Sequence, residues 1–217
     1  MGRQEYLTRW SDLHGGVRPV GLVGWWLGLS HRVATPLVRL GVGPDAVTVA
    51  GLVVALAALG PAAAGGRWAL VAVLLVAVSG LVDNLDGAVA VMTGRTTRWG
   101  FVLDSACDRV ADTGYALALV LVGAPWQLAG AGAAVALLHE YVRARAAVAG
   151  MPDVGVVTVS ERPTRVILTA MFLLGAGLYP QAAASWATAG ASAWLTVGVV
   201  GFGQLAVVVR RRLAGPA

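Results

Sequence analysis

The sequence predicts an all-α integral membrane protein, six transmembrane helices with an N-terminal interfacial helix ahead of them. Three observations predict it. Of 217 residues, 58% are hydrophobic and 12% charged, too little polarity to cover a soluble protein of this size. Residues 46–64, 113–138 and 166–209 contain no Asp, Glu, Lys or Arg, and the last run is long enough for two spans joined at the turn-like YPQAAAS of 179–185. The apolar runs are built of Ala, Leu and Val with Gly at intervals, without the short alternating segments of a membrane β-barrel.

In chain order, residues 1–43 are expected to form a cytoplasmic and interfacial segment and residues 44–217 a six-helix transmembrane domain. The uncharged stretch from Val20 to Ser30 is short, and HRVATPLVRL follows it in place of a cleavage site, so it is not read as a signal peptide. Trp25 and Trp26 suit a helix lying in the membrane interface. GVGPDAVTVAG marks the boundary: Pro44 opens the first span and Asp45 sits at its positive end. Spans are expected at 46–64, 67–92, 97–122, 126–149, 163–180 and 187–209.

The charges orient these spans. All sixteen basic residues are arginine. Arg3, Arg9, Arg18, Arg32 and Arg39 precede the first span, Arg95 and Arg98 lie in the second connection, and Arg143, Arg145, Arg162 and Arg165 flank the fourth. Arg210, Arg211 and Arg212 follow the last span, whereas the three other connections hold only Arg67. This asymmetry puts both termini and the even-numbered connections in the cytoplasm of a multi-pass protein of the cell membrane. Trp68 and Trp126 then mark the outer interface and Trp99 the inner one. The net charge of +5 is dispersed at the ends of apolar runs, a pattern of membrane topology and not of nucleic-acid binding. The single cysteine, Cys107, excludes an intrachain disulfide and is expected to lie packed among the helices.

Against this apolar background stand four carboxylates. Asp83 and Asp86 are three residues apart and share a face near the cytoplasmic end of the second span. Asp104 and Asp108 are four apart and share a face near the start of the third. A short polar connection makes a hairpin of the two helices, bringing both pairs to similar depth. Anions gathered there repel one another and are costly to desolvate, so something positive must bind them. Arg95, Arg98 and Arg109 contribute, but clustered carboxylate oxygens suit hard divalent cations better. Pairing with nearby arginines would account for two such aspartates and accounts poorly for four at helical spacing. Gly87, next to Asp86, leaves room for a ligand to approach the backbone, and Gly100 is similarly placed.

The pattern Asp83-x-x-Asp86-Gly87-x-x-Ala90, then eight residues after position 91, then Gly100-x-x-x-Asp104-x-x-x-Asp108, resembles the signature DxxDGxxAR–GxxxDxxxD of the CDP-alcohol phosphatidyltransferase family. The resemblance implies a homodimeric phospholipid synthase of the cytoplasmic membrane face that moves a phosphatidyl group from CDP-diacylglycerol to an alcohol and releases CMP. It implies two Mg2+ or Mn2+ ions held by Asp83, Asp86, Asp104 and Asp108, with Asp108 also taking the acceptor proton. Gly87, Ala90 and Gly100 would give space to the nucleotide. One position departs: Val91 stands where the family has Arg. Arg95, four residues on, would lie on the same helical face and replace it.

The acceptor is sought among His139, Glu140, Arg143 and Arg145 at the end of the fourth span and Arg162 and Arg165 across the next connection. Topology alone explains any single arginine there, but His139 and Glu140 lie deeper, where unpaired polarity is costly. Together they suit an anionic hydroxylated acceptor: inositol phosphate, glycerol phosphate or phosphatidylglycerol. His14 reads as a structural hydrogen-bonder. Asp112, one turn beyond Asp108, either orients it or pairs with Arg109 or another helix. Two other readings use aspartates in a membrane. A Mg2+-dependent intramembrane prenyltransferase would release pyrophosphate, and a cation transporter would carry ions without making a lipid product. A pathway of carboxylates and an inverted repeat, both expected of the transporter, are absent from the sequence.

Overall fold

The computed structural model describes residues 1–13, 15–151 and 157–214, which leaves His14 outside the described residues. Among these residues it is all-helical: α1 (Arg3–Leu13), α2 (Gly21–Arg39), α3 (Pro44–Ala57), α4 (Leu59–Ala64), α5 (Ala69–Thr93), α6 (Arg98–Val122), α7 (Trp126–Val148), α8 (Arg162–Leu178) and α9 (Ala183–Leu213). Single 3-10 turns at Gly66–Trp68 and Pro180–Ala182 link α4 to α5 and α8 to α9. Every predicted span is thus helical, the first being broken briefly at Ala58 between α3 and α4. Among the described residues, three helical stretches are long and apolar enough to cross a membrane: Pro44–Ala64, Gly66–Thr93 and Pro180–Leu213.

Local chemistry sets the ends that matter. α5 stops at a left-handed glycine, Gly94 at φ +67°, where only glycine is unstrained. The Arg95 N–H donates to the Ala90 carbonyl at 3.0 Å and the Gly94 N–H to that of Val91 at 3.4 Å, the paired closure of a Schellman motif. The expectation that Arg95 continues the face of α5 is therefore corrected: the helix has ended, and Arg95 is exposed beyond its cap. α6 restarts at Thr97, whose hydroxyl accepts the Gly100 N–H at 2.9 Å as an N-cap. The connection is thereby confined to Gly94–Thr97, short enough to return the chain immediately.

The chain divides into two compact units, residues 1–54 with 78–108, and residues 55–77 with 109–217. The first is centred on Tyr6, Leu27, Ala34, Val47, Leu85, Ala88, Val89, Val91 and Met92, so residues of α1 and α2 share a core with α3 and the C-terminal half of α5. The second is dominated by α7 and α8 against α9. Small residues let those backbones approach: a Cβ on Gly190 would come within 2.8 Å of Phe172. Ala146, Met151 and Leu205 form a further buried cluster at the C-terminal ends of α7 and α9.

Candidate active site

The first unit holds all four predicted carboxylates. Asp83, Asp104 and Asp108 converge, each offering one carboxylate oxygen within 4.8 Å of the others, and all three side chains are half-buried. Two oxygens on opposite sides of one hard cation lie about 4–5 Å apart, given metal–oxygen distances of about 2.0–2.6 Å. The trio therefore fits a divalent ion in both spacing and donor type.

Asp86 stands beside this trio and is held differently. It is buried; its Oδ2 accepts a 2.6 Å hydrogen bond from the Thr48 hydroxyl, and its Oδ1 accepts the Gly87 N–H. Thr48 is itself buried on α3 and also lies 3.2 Å from the Pro44 carbonyl. Its single proton serves one acceptor at a time. Sequence reasoning missed Thr48. The available signal was a hydroxyl one turn after Pro44, in a helix start whose other polar side chain is Asp45.

The two predicted glycines differ. A Cβ on Gly87 would meet nothing within 4 Å, so open space lies against the backbone beside Asp86. At Gly100 a Cβ would come within 3.1 Å of Thr97 Oγ1 and 3.3 Å of Asp45 Oδ1. There glycine serves the local packing of the α6 N-terminus. Ala90 is partly exposed, and Val91, at the family's arginine position, is buried in the apolar core of the first unit. Cys107 is buried, as expected.

The second unit gathers the other predicted polar residues into a network. Arg165, 2% exposed, reaches Asp112 Oδ2 at 3.1 Å and Glu140 Oε1 at 3.3 Å and donates to the Ser160 carbonyl at 3.0 Å. Arg109 meets Glu140 Oε2 at 3.2 Å and Asp112 Oδ2 at 3.8 Å. Asp112 thus pairs both with Arg109 and with another helix. Arg143 donates both terminal nitrogens to Glu161, at 3.1 and 2.6 Å. His139 is fully buried, with Nε2 3.2 Å from Thr158 Oγ1 and Nδ1 3.6 Å from Glu140. The Trp194 indole N–H is placed between the Arg165 carbonyl and Thr169 Oγ1, at 3.2 and 3.1 Å. Arg145 is exposed and Arg162, the first residue of α8, half-buried.

Glu161 anchors the loop before α8. Burial alone would raise its pKa; the Arg143 guanidinium and the Thr158 N–H and hydroxyl outweigh this and hold it below the usual carboxylate range. Thr158, Thr169 and Trp194 were not singled out from sequence, because each is ordinary in type and acquires its partner only through tertiary contact.

The sequence profile described as CDP-alcohol phosphatidyltransferase matches residues 42–201. The chain is 34% identical over 183 residues to the phosphatidylinositol phosphate synthase of Mycobacteroides abscessus, covering 76% of this chain and 78% of that one. The crystal structure of Mycobacterium tuberculosis phosphatidylinositol phosphate synthase with CDP-DAG bound superposes with a TM-score of 0.66 at 27% identity, covering 83% of this chain and 93% of that one. The same synthase in complex with manganese and citrate gives a TM-score of 0.65 at 27% identity, covering 83% and 88%. With the profile spanning most of its length, this chain belongs to the CDP-alcohol phosphatidyltransferase family.

Proposed function

We propose that this enzyme transfers the phosphatidyl group of CDP-diacylglycerol to the hydroxyl of an inositol phosphate, releasing CMP. The observation that carries the proposal is the convergence of the Asp83, Asp104 and Asp108 oxygens within 4.8 Å. The acceptor is supported by the named relatives, which are phosphatidylinositol phosphate synthases. Glycerol phosphate and phosphatidylglycerol are the acceptors it must be tested against.

In this reading Asp83, Asp104 and Asp108 hold Mg2+ or Mn2+, with Asp86 completing the set for two ions. When bound there, divalent cations would neutralise the negative charge of the diphosphate and of the leaving CMP. Asp108 accepts the proton of the acceptor hydroxyl. The oxygen so freed forms its bond to the phosphatidyl phosphorus as the bond from that phosphorus to the CMP oxygen breaks. Open space at Gly87, three residues before Ala90, admits the nucleotide, and Arg95, exposed just beyond the cap of α5, supplies the cation that Val91 does not. Arg145 and Arg162 contact the acceptor's phosphate, while His139, Glu140, Arg143 and Arg165 hold the frame around them.

We place the enzyme in the cytoplasmic membrane with six spans, a membrane domain of residues 44–217 and residues 1–43 at the inner interface. Both termini and the active site face the cytoplasm, and the protein is a homodimer. Support for the membrane placement and orientation comes from the arginine distribution and from exposed Trp25, Trp68, Trp99 and Trp126 at helix ends; the homodimer is an expectation from the family. Purified protein with CDP-diacylglycerol, Mg2+ and an acceptor panel tests the reaction. Lipid mass spectrometry should find phosphatidylinositol phosphate together with CMP. Product from another acceptor alone would reject the inositol phosphate assignment, and pyrophosphate in place of CMP would reject the reaction.

A further inference from the structure

A second concentration of positive charge lies in the first unit, on residues to which the proposed reaction gives no role. Trp25, Gly28, Leu29 and Arg32 recur at i, i+3, i+4 and i+7 and so share one face of α2. Arg3, from the first residue of α1, lies across that face. A Cβ on Gly28 would come within 2.9 Å of the Arg3 Nε and Nη2, so the missing side chain is what seats the guanidinium there. These five residues line a pocket of about 300 Å³.

The pocket's charge is not neutralised from within. Arg3 has one polar partner among the described residues, the Gly24 carbonyl at 3.5 Å. Neither Arg3 nor Arg32 forms an ion pair with a carboxylate among the described residues, and Glu5 on α1 is engaged by Arg9 at 3.2 Å. Two guanidiniums lining one open pocket repel each other unless an anion lies between them. Their planar, multi-donor geometry matches phosphate oxygens. Trp25, 61% exposed, adds an apolar and aromatic wall of the kind that sits at headgroup level.

We propose that Arg3, Arg32 and the Trp25–Gly28–Leu29 face of α2 form a non-catalytic binding site for a phosphate group, as borne by the headgroup of an anionic phospholipid or by free phosphate. The site involves none of the four aspartates and stands whether or not the acceptor assignment is right. The probe is phosphatidic acid, against phosphatidylcholine, added to the full-length protein in neutral detergent with EDTA, so that no metal holds phosphate at the carboxylates. Bound lipids are counted by native mass spectrometry. Wild type should retain phosphatidic acid in preference, and R3Q/R32Q should lose roughly tenfold or more of that affinity, as expected for lost charge-assisted hydrogen bonds. The double variant R9Q/R18Q, with the same charge removed elsewhere in the N-terminal segment, should bind as wild type. R3K/R32K guards against a folding artefact and should retain partial binding. Displacement of the lipid by millimolar inorganic phosphate would assign the site to phosphate itself; retention would assign it to a headgroup held also by its acyl chains. No preference for phosphatidic acid in wild type, or equal losses in R3Q/R32Q and R9Q/R18Q, would overturn the proposal.

Discussion

Thr48 Oγ1 donates a 2.6 Å hydrogen bond to Asp86 Oδ2 across 38 residues of sequence, from the first turns of α3 to the signature helix α5. This bond, with the Gly87 N–H on the other oxygen, holds Asp86 beside the cluster of Asp83, Asp104 and Asp108. Thr48 is thus a positioning residue. Thr48→Val keeps the shape and removes the donor, costing about 1.5–3 kcal/mol as for a hydrogen bond to a charged group. The divalent-ion concentration needed for half-maximal transfer should rise, with kcat falling roughly tenfold or more. Thr48→Ser should restore both. An unaltered metal dependence in Thr48→Val, with loss of thermal stability only, would make the residue merely structural.

Asp108 carries two assignments, ligand and base. Asp108→Asn preserves volume and should leave the fold, read by thermal melting in detergent, close to wild type while removing CMP release. Asp83→Asn and Asp104→Asn should also lose activity, through weaker metal binding that higher Mn2+ partly restores. Substantial turnover in Asp108→Asn would contradict its role as proton acceptor.

Arg165 is almost fully enclosed and serves Asp112, Glu140 and the Ser160 carbonyl together. Arg165→Gln leaves two carboxylates short of a partner, and breaking a buried ion pair costs about 3–5 kcal/mol. Trp194→Phe removes one indole donor and should cost only about 1 kcal/mol. Melting temperatures of the two variants should differ in that order. Near-equal melting temperatures would mean that the network contributes little to stability.

Glu161 makes stability depend on pH in a definite direction. Its folded pKa lies below the ordinary value of 4.5, held there by Arg143 and Thr158 against the effect of burial. The folded state then binds fewer protons than the unfolded one. The stabilisation is complete above pH 4.5 and is lost as pH falls through the folded value. The melting temperature of wild type minus that of Glu161→Gln should be constant from neutrality to about pH 5 and shrink below it. A difference that grew on acidification would reverse the sign.

The helices and the aspartate cluster were legible because both rest on periodicity. Uncharged runs of span length become helices, and i,i+3 and i,i+4 spacings put carboxylates on common faces wherever the backbone stays helical. Arg95 shows where that logic ends: the same spacing failed because Gly94 closes α5 first. Thr48 and Trp194 were illegible for a different reason, since a hydroxyl or an indole announces nothing until another helix supplies its partner. The distinction between Arg165, enclosed by two carboxylates, and Arg145, exposed, likewise depends on which face of each helix is covered. Charge count alone treats them as equal.

The central claim is that the α5–α6 carboxylates form a divalent-metal centre. Crystals of this protein grown with Mn2+, measured at the manganese absorption edge, test it most directly. Anomalous density is expected bounded by the carboxylates of Asp83, Asp104 and Asp108, with Asp86 adjoining, at metal–oxygen distances of about 2.0–2.6 Å. Manganese bound elsewhere, or none at these aspartates under saturating Mn2+, would contradict it.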